Sequence, residues 1–134
     1  MSNQPAVTRA LEQLRQGATT LNLRGNNIGS AGAKTVAAAL IESQTLEDLN
    51  LENNNLGDDG AKAMAMALKE NRSLISLELQ NNRIRPEGAK VMAAVLQENQ
   101  SLVSLNLRGN KIGCEGAKAM AAALKENFSL ASLE

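Results

Sequence analysis

Two rhythms alternate along this chain. In LEDLNL, Leu49 and Leu51 stand two residues apart, which puts both on one face of a short strand. In GAKAMAMALKEN, Ala61, Met64, Ala65 and Leu68 fall at i, i+3, i+4 and i+7, one face of a helix, with Lys62 and Lys69 on the other side. The pair of rhythms then repeats at a step of 28. Leu21, Leu49, Leu77, Leu105 and Leu133 share one phase. Asn26, Asn54, Asn82 and Asn110 share another, and Gly32, Gly60, Gly88 and Gly116, each followed by Ala-Lys, share a third. The hexapeptide LNLRGN occurs at Leu21–Asn26 and again at Leu105–Asn110, three such steps apart. A fixed period of this size predicts a solenoid.

Strand, loop, helix, loop, strand predicts a parallel sheet with helices on one side. Parallel strands stack about 4.8 Å apart, whereas helices prefer about 8–10 Å. The helix layer must fan outward, so the expected fold is an α/β horseshoe with a parallel β-sheet on the concave side and α-helices on the convex side. Alanines at Ala37, Ala65, Ala93 and Ala121 allow close approach of helix to sheet.

Local signals sharpen the elements. Pro86 suits the first helical position, and Asp59, Glu87 and Glu115 suit a first helical turn. Asp58 with Lys62, and Glu115 with Lys118, have favourable helical spacings. Asn71, Asn99 and Asn127 are expected as left-handed C-caps. Arg85 replaces the glycine at Gly29, Gly57 and Gly113, so the third loop is expected to differ. Asn26, Asn54, Asn82 and Asn110 have a structural role: a side-chain amide both donates and accepts, and can satisfy backbone groups where the chain turns out of the sheet. Asp lacks the donor, and Gln is longer by a methylene.

Residues 1–17 break the register. Val7, Leu11 and Leu14 lie on one helical face, Pro5 fits a helix start and Gly17 a C-cap. This segment is expected to be a divergent half-repeat covering the N-terminal end. Residues 18–134 then form four 28-residue repeats plus the first strand of a fifth. The chain stops at Leu133-Glu134, midway through a strand and with no polar cover for its leucines, which predicts a piece of a longer protein or an end paired with another chain through end-to-end self-association.

The stretch LEDLNLENNNLGDDGAKAMAMALKENRS resembles a leucine-rich repeat of the ribonuclease-inhibitor-like, 28-residue type. The pattern N-x-[IL]-G-x-x-G-A-K-x-[VM]-A-x-[AV]-L resembles the C-terminal repeats of NOD-like receptors. The resemblance implies a horseshoe-shaped protein-binding scaffold or ligand-sensing module, part of a longer receptor-like protein. The chain carries no P-loop G-x-x-x-x-G-K-[ST]. It also lacks the many cysteines and interface tryptophans of ribonuclease inhibitors. Ran GTPase-activating proteins use similar repeats but carry an acidic tail that is absent here. A GTPase activator of that type is one alternative; an array fragment with no specific partner is another.

Composition narrows the chemistry. Fourteen acids balance fourteen bases, and the only aromatic residue is Phe128. Neither an attractive field nor a stacking platform for nucleic acid is present. No apolar run is long enough to span a membrane, and MSNQPAVTR is no signal peptide, so the expected compartment is the cytoplasm. Without histidine, and with Cys114 as the only cysteine, no enzymatic constellation, metal site or cofactor site is expected. Met64, Met92 and Met120 share a phase with Val36 and are expected in the core. Phe128, a lone aromatic among polar counterparts at its phase, is expected to fold over the C-terminal end, with a partner contact as the alternative. The three N-x-S sequons at Asn71, Asn99 and Asn127 follow the repeat and need no glycan to explain them.

What remains for function is the set of strand residues that flank the inward leucines. Asn22, Arg24, Asp48, Asn50, Glu52, Ser76, Glu78, Gln80, Asn106 and Arg108, with Thr20 and Ser104, should face the concave side. Its middle is acidic, which points to a protein partner bearing a basic patch.

Overall fold

The computed structural model describes residues 4–134; residues 1–3, at the start of the divergent half-repeat, lie outside it. Helix α1 (Pro5–Arg15) is followed by four strand–helix units: β1 (Thr20–Asn22) and α2 (Gly29–Glu42), β2 (Asp48–Asn50) and α3 (Gly57–Glu70), β3 (Ser76–Glu78) and α4 (Pro86–Leu96), β4 (Ser104–Asn106) and α5 (Gly113–Glu126). A last short strand, β5 (Ser132–Leu133), closes the order. The strands pair in parallel in chain order, and Leu21, Leu49, Leu77, Leu105 and Leu133 lie directly side by side.

The buried leucines drive this stacking. Leu46, Leu49, Leu51, Leu74, Leu77 and Leu79 are buried, as is the helix face made of Ala61, Met64, Ala65 and Leu68. Each buried leucine contributes about 1.5–3 kcal/mol, but only when the next coil covers it. At the N-terminal end that cover is α1. Val7 and Ala10 are buried, and Gln4 Nε2 donates to the Ile28 carbonyl at 2.9 Å. Helix α1 ends in a Schellman turn: Gly17 has φ +86°, Gly17 N–H bonds Leu14 O, and Ala18 N–H bonds Gln13 O. At the C-terminal end Leu124 is 41% exposed, although Leu40, Leu68 and Leu96 at the same phase are buried. Ala121 is likewise exposed where Ala37, Ala65 and Ala93 are buried.

Two asparagine ladders run from coil to coil. In the first, Asn54 Oδ1 accepts the N–H groups of Asn26 and Ile28, Asn82 Oδ1 those of Asn54 and Leu56, and Asn110 Oδ1 those of Asn82 and Ile84. Each amide nitrogen donates back to a leucine carbonyl of the coil before: Leu23, Leu51 and Leu79 in turn. Asn26, with no such coil before it, is exposed and donates only within its own turn, to Leu23 and Arg24 carbonyls.

The second ladder replaces the expected left-handed C-caps. Asn71 and Asn127 have extended backbones, with φ −89° and −101°, and α4 ends at Leu96 with Gln97, not Asn99, as its cap residue. The side chains do the work instead. Asn71 Nδ2 donates to Leu40 O and Ser43 O, Asn99 Nδ2 to Leu68 O and Asn71 O, and Asn127 Nδ2 to Leu96 O and Asn99 O. Those carbonyls lie where helix bonding runs out. The same asparagines accept, through Oδ1, the N–H groups of Leu74, Leu102 and Leu130 at the entry to the next strand. These are the three sequon asparagines, and their amides are buried and occupied.

The third loop departs from the others as its sequence suggests. Gly29, Gly57 and Gly113 have φ +66°, whereas Arg85 is extended at φ −106° and α4 begins one residue later, at Pro86. Asp58, expected to pair with Lys62, instead reaches across to the next coil. Its Oδ1 accepts Arg85 N–H at 2.7 Å and Gly88 N–H at 3.2 Å, capping α4 from outside. Phe128, expected to fold over the C-terminal end, is 89% exposed. It has no apolar counterparts at its phase, where Gln44, Arg72 and Gln100 stand.

The concave face as a candidate protein-binding surface

Three columns cross the sheet between the buried leucines. Strand register aligns Thr20, Asp48, Ser76 and Ser104 in one column and Asn22, Asn50, Glu78 and Asn106 in the next. Arg24, Glu52, Gln80 and Arg108 form the third, where the chain leaves the sheet. The ladder continues there through Gly25 N–H to Glu52 O, Asn53 N–H to Gln80 O and Asn81 N–H to Arg108 O. All twelve side chains belong to residues that are exposed or half-buried.

The middle column is built for donation, with one exception. Asn22, Asn50 and Asn106 each use Oδ1 to accept the N–H two residues on, at 3.0, 2.9 and 3.0 Å. This side-chain turn ties back the oxygen and leaves the amide hydrogens for a partner or solvent. Glu78 interrupts the column in the third coil. Its carboxylate accepts Gln80 Nε2 at 2.9 Å. Because a carboxylate cannot donate, this bond fixes the Gln80 amide, and its Oε1 is buried without a protein partner. Beside it, Glu52, Gln80, Asn81, Asn106, Arg108 and Gly109 line a shallow depression of about 330 Å³.

Arg24 reaches Glu52 at 3.5 Å, and the Glu52 side chain is only 18% exposed. Arg108 lies 3.9 Å from Glu134. Both arginines of the duplicated hexapeptide therefore lean on an acid of the following coil. Exposed pairs of this kind contribute little to stability, but they leave Asp48 and Glu78 as the carboxylates of the face without a basic partner among the described residues. A larger open hollow of about 780 Å³ lies along α1, formed almost wholly by that one helix and remote from these columns. Among the described residues no three His, Cys, Asp or Glu side chains come together as a metal-binding group. Cys114 is exposed at the start of α5.

The family described as Leucine Rich repeat matches residues 19–37, 42–65, 70–93 and 98–121, well over half of the chain. The chain belongs to the leucine-rich repeat family. Solved structures agree. "Leiomodin-1 Actin-Binding Site 2 (ABS2)" superposes with a TM-score of 0.87 and 26% identity, over 93% of this chain and 76% of that one. The C-terminal domain of tropomodulin from Caenorhabditis elegans superposes with a TM-score of 0.83 and 21% identity, over 95% of this chain and 80% of that one, a likeness of fold. No curated protein sequence matches. No helix of this leucine-rich repeat chain is long and apolar enough to cross a membrane, among the described residues.

Proposed function

We propose that this leucine-rich repeat chain is a non-enzymatic, protein-binding scaffold whose concave face receives a partner bearing basic residues. One observation carries the reading. Asp48 and Glu78 present carboxylates on the second and third coils that no base among the described residues neutralises, while Arg24 and Arg108 already lean on Glu52 and Glu134. Opposite charge on the partner would set its orientation and hasten its arrival. The pattern shared with NOD-like receptor repeats supports a cytoplasmic sensing role within a longer receptor-like protein. The test is comparative capture from a cytosolic extract by the wild type and by a variant carrying Asp48→Lys and Glu78→Lys. Both positions are at the surface, so the variant keeps its fold, and specific partners should be lost. Retention of the same partners overturns the assignment of this face.

The likeness to an actin-binding site of leiomodin-1 supports a narrower reading, in which the partner is actin. Co-sedimentation with filamentous actin tests it. Pelleting with actin that the charge reversal abolishes supports both readings. No pelleting removes actin and leaves the broader reading to the capture experiment.

A further inference from the structure

Another outward row lies beside the concave columns, and a repeated backbone irregularity creates it. Ile75 and Ser76 N–H groups both bond Glu47 O, at 2.8 and 2.9 Å. Val103 and Ser104 both bond Ile75 O, and Ala131 and Ser132 both bond Val103 O, each pair at 2.8 and 3.0 Å. Successive amides of a regular strand point to opposite neighbours. Two in succession toward one neighbour break the in–out alternation, as a bulge does. Leu74 and Leu77 are therefore both buried, while Ile75 and Ser76 between them turn outward. The result is a row running Thr19, Glu47, Ile75, Val103, Ala131 along the rim where each helix feeds the sheet. Ile75 is 40% and Val103 39% exposed. The exposed Phe128 stands in the turn leading to Ala131. Thr19 and Glu47 make the first two positions of the row polar, Ile75, Val103 and Ala131 make the rest apolar, and Arg72 stands in the turn leading to Ile75, at the phase of Phe128.

We propose that this rim docks an amphipathic helix of a partner protein, with an apolar stripe on Ile75, Val103 and Ala131 and a Lys or Arg beyond the stripe facing Glu47. Spacing selects the helix. Adjacent coils place these side chains about 4.8 Å apart, and side chains at i, i+3 and i+4 on a helix are about 5–6 Å apart. Same-face side chains of an added strand stand about 6.6 Å apart, two residues at 3.3 Å each, and fall out of step by the third coil. The acid beside the apolar three fixes the register of the helix, because its basic turn must lie over the second coil.

The rim is separate from the concave columns, so the two assignments can fail independently. The probe is a synthetic amphipathic helix with leucines at i, i+4 and i+7 and lysines in the turn beyond, titrated into the protein by fluorescence anisotropy and by NMR. Binding should shift amides of the Glu47–Ala131 row. Ile75→Asp with Val103→Asp should weaken it about tenfold or more, and Glu78→Lys should leave it unchanged. Glu47→Lys should weaken the lysine peptide and favour its glutamate counterpart. Ile75→Ser with Val103→Ser serves if the aspartates disturb folding. Absence of binding, equal binding of a scrambled peptide, or shifts confined to the concave columns would overturn the proposal.

Discussion

Asn82 Oδ1 accepts the N–H of Asn54 at 2.8 Å, and Asn82 Nδ2 donates to Leu51 O at the same distance. One side chain thus satisfies backbone groups that lie a whole coil away. Asn82→Leu would bury those groups without partners, at a cost of about 1–3 kcal/mol. Asn26→Leu should cost much less, because Asn26 is exposed and joins no earlier coil. Urea denaturation midpoints of the two variants check the difference.

The second ladder predicts sensitivity to charge as well as shape. Asn99→Asp keeps the acceptor for Ser101 and Leu102 N–H but removes the donor to Leu68 O and Asn71 O. Two buried carbonyls lose their partner and a carboxylate is left among them, so at neutral pH a loss of about 1–3 kcal/mol or more is expected. Thermal unfolding of the aspartate variant measures it.

Asp58 caps a helix to which it does not belong. Asp58→Ala should destabilise by about 0.5–2 kcal/mol, with faster amide exchange concentrated at Arg85 and Gly88. Hydrogen exchange read by NMR locates the effect. A loss confined to the first turn of α3 would contradict the contact.

The two copies of LNLRGN should respond differently to one change. Gly25 and Gly109 both have positive φ, +69° and +73°, so alanine is strained at either by about 1–2 kcal/mol. At Gly25 the added methyl meets open space. At Gly109 it comes within 2.8 Å of Asn81 Cγ, and the Asn81 side chain must move. Gly109→Ala should therefore unfold at a lower temperature than Gly25→Ala.

Much of the architecture is legible in the leucine phases, because a side chain buried in every coil leaves the same residue at every step of 28. Asn71, Asn99 and Asn127 show where reading stops. An asparagine after a helix looks like a left-handed cap in its own coil, but its amide reaches a carbonyl 31 residues earlier, a relation that exists only once coils are stacked. Asp58 was misleading for the same reason: Lys62 is near in sequence, and Arg85 is near in space. On the concave face the columns follow from alternation, whereas the Arg24–Glu52 contact and the Gln80–Glu78 bond depend on rotamers that no pattern encodes. The outward turn of Ile75 was hidden because two amides share one carbonyl, which breaks the period-two rule used to assign faces.

The most direct test of the account is the set of proteins captured by the Asp48→Lys, Glu78→Lys variant beside the wild type, with circular dichroism on both. Buried asparagines and leucines hold the frame, so the two spectra and melting curves should match. The partners of the wild type should be missing from the variant. The same partners on both would contradict recognition through the acidic centre of the concave face.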